Sequence, residues 1–184
     1  NSLYLRNRLK EILQFYTLNF IYGSKYGEDF LFKGGTCLRL CFDLPRLSED
    51  LDFDIKNYSQ FNLEEFLAEI NNYFKAKWQL KNFSLKTAGN GRQIFLRFPV
   101  LKNLGLAGQN ESDLLFLRLD LSAVDSSFYT EEISVKTAQN LSFIVKRYSL
   151  SDLFSSKICA ILERTFKEMG PAFAIAAGMA LRGM

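Results

Sequence analysis

Three aspartates within five residues, Asp50, Asp52 and Asp54, are the side chains in this 184-residue chain best placed to do chemistry. They alternate with Leu51, Phe53 and Ile55, the pattern of a half-buried strand. Side chains two apart in a strand share a face, so the carboxylates point one way and the apolar side chains point into the core. Same-face neighbours lie roughly 6.5–7 Å apart, which lets two of them grip metal ions set about 3.5–4 Å apart. Without a partner these charges repel one another and oppose the strand, so something positive is expected among them. A second segment, Leu114 to Ser122, turns Leu117, Leu119 and Leu121 one way and Arg118, Asp120 and Ser122 the other. Asp120 is the candidate third acid. Magnesium is the expected ion, because it takes oxygen ligands and is commonly held by one or two carboxylates plus substrate phosphates.

Upstream of the acids lies Lys33-Gly34-Gly35-Thr36. Glycine lets the backbone approach a ligand closely, and a following helix N-terminus offers free N–H groups to phosphate. Lys33 and the Thr36 hydroxyl flank that turn. Further on, Lys157, Ile161 and Arg164 fall at i, i+4 and i+7, a stripe suited to a triphosphate or a nucleic-acid backbone. Each feature alone has a plainer reading: a turn, exposed acids, a salt-bridge partner, a solvated helix face. Their order and spacing together are what phosphate chemistry requires.

The chain contains no histidine. That excludes Ser-His-Asp and Cys-His catalysis, histidine-ligated zinc and a histidine general base. Chemistry here must run on carboxylates, lysines, arginines and a hard metal ion. A net charge of +3 tolerates an anionic partner without demanding one. The three cysteines, Cys37, Cys41 and Cys159, form no metal or disulfide pattern. Cys37 and Cys41, at i and i+4, read as a buried reduced pair, which suits a cytoplasmic setting. No apolar run approaches the roughly 18 residues of a membrane span, no signal peptide is expected at Asn1, and no membrane partner is expected.

Elements must position these residues. Helical spacing of Leu5, Leu9, Ile12, Leu13, Tyr16, Phe20 and Ile21 predicts a helix over residues 3 to about 24. Phe30 to Phe32 suits a short strand delivering the chain into the Gly pair. Thr36 is a plausible N-cap for a short helix through Leu38, Leu40 and Cys41, which Pro45 would end. Asn62 with Glu65 is a capping-box start for a helix through Phe66, Leu67, Ile70 and Phe74 towards Trp78. Strands are expected at Gln79 to Lys86, Gln93 to Leu101, Leu114 to Ser122 and Leu141 to Lys146, with a polar loop over residues 102–113. Ser149 to Asp152 opens a long helix running to about Met169, where Gly170-Pro171 is a stop. Beyond it Ala172 to Leu181 suits a separate short helix. The expectation is an α+β chain with a core over residues 1–148, including the N-terminal helix, and a helical segment over 149–184.

The run G-G-T, an interval, then S-x-D-L-D-F resembles the nucleotidyltransferase signature of the DNA polymerase β-like superfamily. The fuller pattern K-G-G-T-x-L-R with R-x-S-x-D-L-D-F is similar to the AbiEii toxins of abortive-infection and type IV toxin–antitoxin systems. Leu117 to Ser122 resembles that family's strand bearing a third acid. Tyr148-Ser149-Leu150 with Lys157, Ala160 and Arg164 resembles its helix carrying a lysine. Roughly residues 30 to 168 are covered.

This resemblance implies a small mixed sheet flanked by helices. It implies that Gly34, Gly35 and Thr36, with Lys33, contact nucleotide phosphates, and that Asp50, Asp52 and Asp120 hold magnesium. Arg46 and Ser48 would organise the loop leading to the acidic strand, while Lys157 and Arg164 would neutralise phosphate charge. Asp54 has no counterpart and is expected behind the site or simply at the surface. The implied activity moves a nucleotidyl group from an NTP to an acceptor hydroxyl, on a tRNA 3′ end, another RNA or a protein, with a cognate antitoxin as partner. In one place the chain departs from the family pattern. An R-D-x-x-D motif is expected after the lysine helix, but the chain reads Lys167-Glu168-Met169-Gly170-Pro171-Ala172-Phe173, with no Asp after Asp152. The C-terminal segment is therefore expected to be diverged or shortened, with Glu168 the nearest substitute acid. The alternative is a degenerate member that binds nucleotide, RNA or a protein without turnover. A metal-dependent phosphohydrolase is less favoured, since nothing obvious activates a water.

Overall fold

A computed structural model of the chain describes residues 2–124, 129–138 and 140–169. The chain falls into two units, residues 1–148 and 149–184.

In the first unit Leu51, Phe53 and Ile55 are all but fully buried, as their alternation with aspartates predicts. Their strand takes the middle place in a seven-stranded mixed sheet. In chain order the elements are α1 (Ser2–Tyr22), β1 (Phe30–Lys33), α2 (Gly34–Phe42), β2 (Leu51–Ile55), α3 (Leu63–Asn72), β3 (Ser84–Ala88), β4 (Gln93–Pro99), β5 (Leu114–Ala123), β6 (Glu131–Ala138) and β7 (Leu141–Tyr148). The sheet order is β3-β4-β5-β2-β1-β7-β6. The β2–β5 and β1–β7 pairs run parallel and the others antiparallel. The parallel β1–β7 contact is brief, with Phe32 opposite Arg147. Tyr22 at the end of α1 reinforces it, its hydroxyl reaching the carbonyls of Phe30 (3.1 Å) and Lys146 (2.8 Å).

Aromatic packing holds the sheet to α3. The Asn62 side chain accepts the Glu65 N–H at 3.1 Å and so starts the helix as its sequence predicts. Phe66 then stacks on Phe30 at 5.5 Å between ring centroids, and Phe30 meets Phe53 at 5.4 Å. The last turn, Tyr73–Lys77, widens to a π-helix carrying Phe74 into a cluster with Phe83 (4.9 Å) and Phe98 (5.0 Å). Rings at these separations add to the stability gained from the buried area alone.

The second unit contains α4 (Leu150–Met169). Ser149 caps it: its hydroxyl accepts the Asp152 N–H at 3.2 Å and bonds the Asp152 carboxylate at 2.6 Å. The Gly170-Pro171 stop and the expected helix over 172–181 lie outside the described residues.

Several expectations need correction. The strand expected from Gln79 begins only at Ser84, because Gln79 is left-handed (φ 54°) and a turn through Leu80 feeds Phe83 into the aromatic cluster. Strand β6 was not foreseen. It lies at the sheet's edge, with Ile133 and Val135 both more than half exposed, so no buried alternation marks it. Helix α2 ends before Pro45: Asp43 turns left-handed (φ 55°), and the Asp43 and Leu44 N–H groups fold back to the Leu38 carbonyl. Nor does Thr36 cap this helix, which begins two residues earlier at Gly34. Cys37 is buried and Cys41 half-buried on α2, and both are free thiols.

Gly34 makes the passage from β1 to α2 in one residue, at φ 78°. A Cβ there would lie 1.9 Å from Asp52 Oδ2. Two stability experiments follow. Gly34→Ala should cost at least about 2 kcal/mol, combining left-handed strain with the steric conflict. Gly105→Ala, also at positive φ but with nothing within 4 Å of its Cβ, should cost only about 1 kcal/mol. Phe74→Ala should lower unfolding stability by about 3–5 kcal/mol in urea titrations, whereas Phe116→Ala on the exposed face of β5 should stay within about 1 kcal/mol.

Candidate active site

The site is built where β1, α2, β2 and β5 meet. Antiparallel pairing sets Lys33 opposite Asp52, and parallel pairing sets Asp52 opposite Asp120. Three consecutive residues at the start of α2 then each touch the segment that carries the acids. The carboxylate of Asp52 fills the space a Gly34 side chain would need. At Gly35 an added Cβ would lie 2.8 Å from Ser48 Oγ. Thr36 is fully buried and its hydroxyl donates to the Asp50 carbonyl. The G-G-T turn and the S-x-D-x-D segment therefore fit together as one steric unit. From the other side Gln14 of α1, itself buried, donates its amide to the carbonyls of Ser48 (2.9 Å) and Glu49 (3.1 Å). The loop entering β2 is held at both flanks.

The N-cap residue of α2, Lys33, makes no side-chain capping bond of its own. The Asp52 carboxylate lies against that end, where the helix dipole favours negative charge.

Each carboxylate has a distinct environment. Asp50 lies just ahead of β2 rather than within it. Partial burial pushes its carboxyl above the ordinary range, Arg118 pulls it back, and nearby Asp120 pushes it up again. Arg118 Nη2 donates to Asp50 Oδ2 at 2.5 Å. The same guanidinium brings Nε within 3.0 Å of Asp120 Oδ2, near enough for attraction but too oblique for a hydrogen bond, which leaves that buried N–H without an acceptor. Asp54, expected either behind the site or at the surface, is buried at 8 % exposure. Lys33 Nζ sits 2.6 Å from its Oδ1, and the Tyr148 hydroxyl donates to its Oδ2 at 2.8 Å. Burial of this third aspartate is tolerable because both oxygens are engaged.

The structure thus brings Lys33, Gly34, Gly35, Thr36, Ser48, Asp50, Asp52 and Asp120 together. Arg46 is exposed in the loop between α2 and β2. Lys157 and Arg164 are exposed on α4, in the second unit. Among the described residues no three acidic or cysteine side chains converge as a ready-made metal cluster. The donor set nevertheless suits a hard divalent cation. Asp52 and Asp120 are carboxylates on adjacent strands, one of them seated in the Gly34 recess. Sequence reasoning missed Arg118, Gln14 and the Asp54 network. The available signal for Arg118 was its position two residues before Asp120 on the same strand face.

The chain is similar in fold to the crystal structure of JHP933 from Helicobacter pylori, with a TM-score of 0.51 and 20% identity, covering 84% of this chain and 56% of that one. Another Helicobacter pylori structure, of a candidate nucleotidyltransferase, gives a TM-score of 0.49 at 20% identity, over 82% of this chain and 56% of that chain. The chain therefore spans little more than half the length of either. No curated protein matches it. The family described as nucleotidyl transferase AbiEii toxin, type IV toxin–antitoxin system, matches residues 19–169. With the signature turn, the acidic strand and the third acid all inside that span, the chain belongs to the AbiEii nucleotidyltransferase toxin family.

Proposed function

We propose that the chain is a magnesium-dependent nucleotidyltransferase that transfers a nucleotidyl group from an NTP to an acceptor hydroxyl, acting as the toxin of a toxin–antitoxin pair. The observation that carries this reading is the pairing of Asp52 with Asp120 across β2 and β5, directly beside the start of α2. Asp52 and Asp120, joined by Asp50, are the residues that would hold magnesium. When bound, the ion supplies charge neutralisation at the reacting phosphates. The remaining work falls to the chain. The backbone N–H groups of Gly34, Gly35 and Thr36 would bind phosphate oxygens at the helix N-terminus. Lys33, anchored by Asp54, keeps a positive charge beside that turn. Arg46 and Ser48 would steady the loop, and Lys157 and Arg164 would neutralise phosphate charge from α4. The acceptor oxygen would form a new bond to the α-phosphorus as pyrophosphate leaves. Positioning and electrostatics suffice for such a transfer, and no histidine is needed.

The acceptor class we favour is a tRNA 3′ end or other RNA, with a protein hydroxyl as the competing outcome of the same assay. A cognate antitoxin is the proposed partner and the cytoplasm the proposed setting. Among the described residues no helix is long and apolar enough to cross a membrane. A second reading, nucleotide binding without turnover, is favoured by one observation: the segment after Lys167 carries no aspartate.

Incubation of the protein with each radiolabelled NTP, magnesium and total cellular RNA should transfer label to RNA. Asp52→Asn should abolish that transfer and leave the metal-free melting temperature unchanged or slightly raised, because one of several crowded like charges is removed. Label transfer by Asp52→Asn at the parent rate would sink the catalytic assignment. NTP binding without transfer by the parent chain would favour the second reading.

A further inference from the structure

Arg118 bridges two acids that come from different elements, Asp50 ahead of β2 and Asp120 within β5. Its guanidinium supplies the positive charge that this pair of carboxylates calls for. The fit is imperfect, since the buried Nε–H points near Asp120 without forming a hydrogen bond. A guanidinium chosen for a permanent carboxylate pair usually engages it through two parallel bonds. Here one donor is satisfied and another is wasted.

We propose that Arg118 is a built-in stand-in for the divalent cation: in the ion-free protein it neutralises Asp50 and Asp120, and it must be displaced before the ion can bind. This rests on the reading of Asp50, Asp52 and Asp120 as the metal-holding acids. A magnesium ion needs carboxylate oxygens at about 2.0–2.1 Å in near-octahedral array. The Asp50 and Asp120 oxygens now facing the guanidinium at 2.5 and 3.0 Å cannot meet that requirement while Arg118 stays between them. Displacement is open to Arg118, whose side chain is 38% exposed and ends a flexible stem. Its loss costs little, because half-exposed ion pairs are individually weak. Arg118 therefore tunes cation affinity downward by a modest factor, and it keeps the acids from repelling one another when no ion is present. It is a positioning residue for the acids, and its effect is measurable without turnover.

The test uses Mn2+ as an EPR-visible substitute for magnesium, titrated into the metal-free full chain with no nucleotide present. Arg118→Gln should bind Mn2+ about three- to tenfold more tightly than the parent, the factor expected from releasing weak ion pairs. Arg118→Lys should fall between the two. Arg92→Gln removes an exposed positive charge next to Gln93, the cross-strand neighbour of Asp120, and should change the affinity less than about twofold because that charge is screened. Arg118→Gln should also melt lower without ion and gain more on adding Mn2+. Equal or weaker Mn2+ binding by Arg118→Gln would overturn the displacement. Equal tightening by Arg92→Gln would overturn it too, by reducing the effect to net charge. Mn2+ binding by neither the parent nor Arg118→Gln would show that the acids hold no metal, and the inference would fall with that reading.

Discussion

Two carboxylates face each other at the centre of the sheet, and the residues around them answer their repulsion. Asp52 and Asp120 are opposite one another on adjacent parallel strands, with Asp50 and Asp54 close by. Like charges in directly opposed positions destabilise a sheet. The compensation is distributed: Arg118 faces Asp50 and Asp120, Lys33 and Tyr148 hold Asp54, and the start of α2 receives Asp52. Apolar packing supplies the stability that this arrangement lacks. On the other face Leu51, Phe53, Leu117 and Leu119 are fully buried, so the strands are held by their core side while the polar side stays strained by charge.

That division explains what could be read from the residues. Strict alternation of apolar and polar side chains marks β2 and the Leu117 to Ser122 part of β5, where one face is buried and the other carries the polar site residues. The Asn62 and Ser149 caps are likewise local events, legible from a few adjacent residues. The edge strand β6 is not legible: with Ile133 and Val135 on an exposed face it has no buried stripe to announce it. The segment from Gln79 misleads for a different reason. Its apolar residues serve the Phe74, Phe83 and Phe98 cluster from a turn, so tertiary packing overrides local strand preference.

At the site the same distinction holds. The acids and the Gly pair stand out by type and spacing, and they do come together. The roles of Thr36 and Asp54 depend on what lies across the fold. Thr36 looked like a cap, yet its hydroxyl ties the Asp50 carbonyl fourteen residues away. Asp54 has no counterpart in the family pattern, and what it does, anchoring Lys33 with its second oxygen held by Tyr148, ninety-four residues further on, shows only in the fold. Partnerships at such separations leave no periodic trace.

The recess at Gly34 has a consequence for how such chains can diverge. The missing side chain at position 34 and the carboxylate at position 52 occupy one volume, and Gly35 stands in the same relation to Ser48. A side chain at 34 can be accommodated only by shortening or turning away the acid at 52. Drift in the turn and drift in the acidic segment are thus not independent events. Relatives should either keep both glycines with both partners or lose them in concert, so paired change at 34 with 52, and at 35 with 48, becomes a genealogical mark of lines that have abandoned the chemistry.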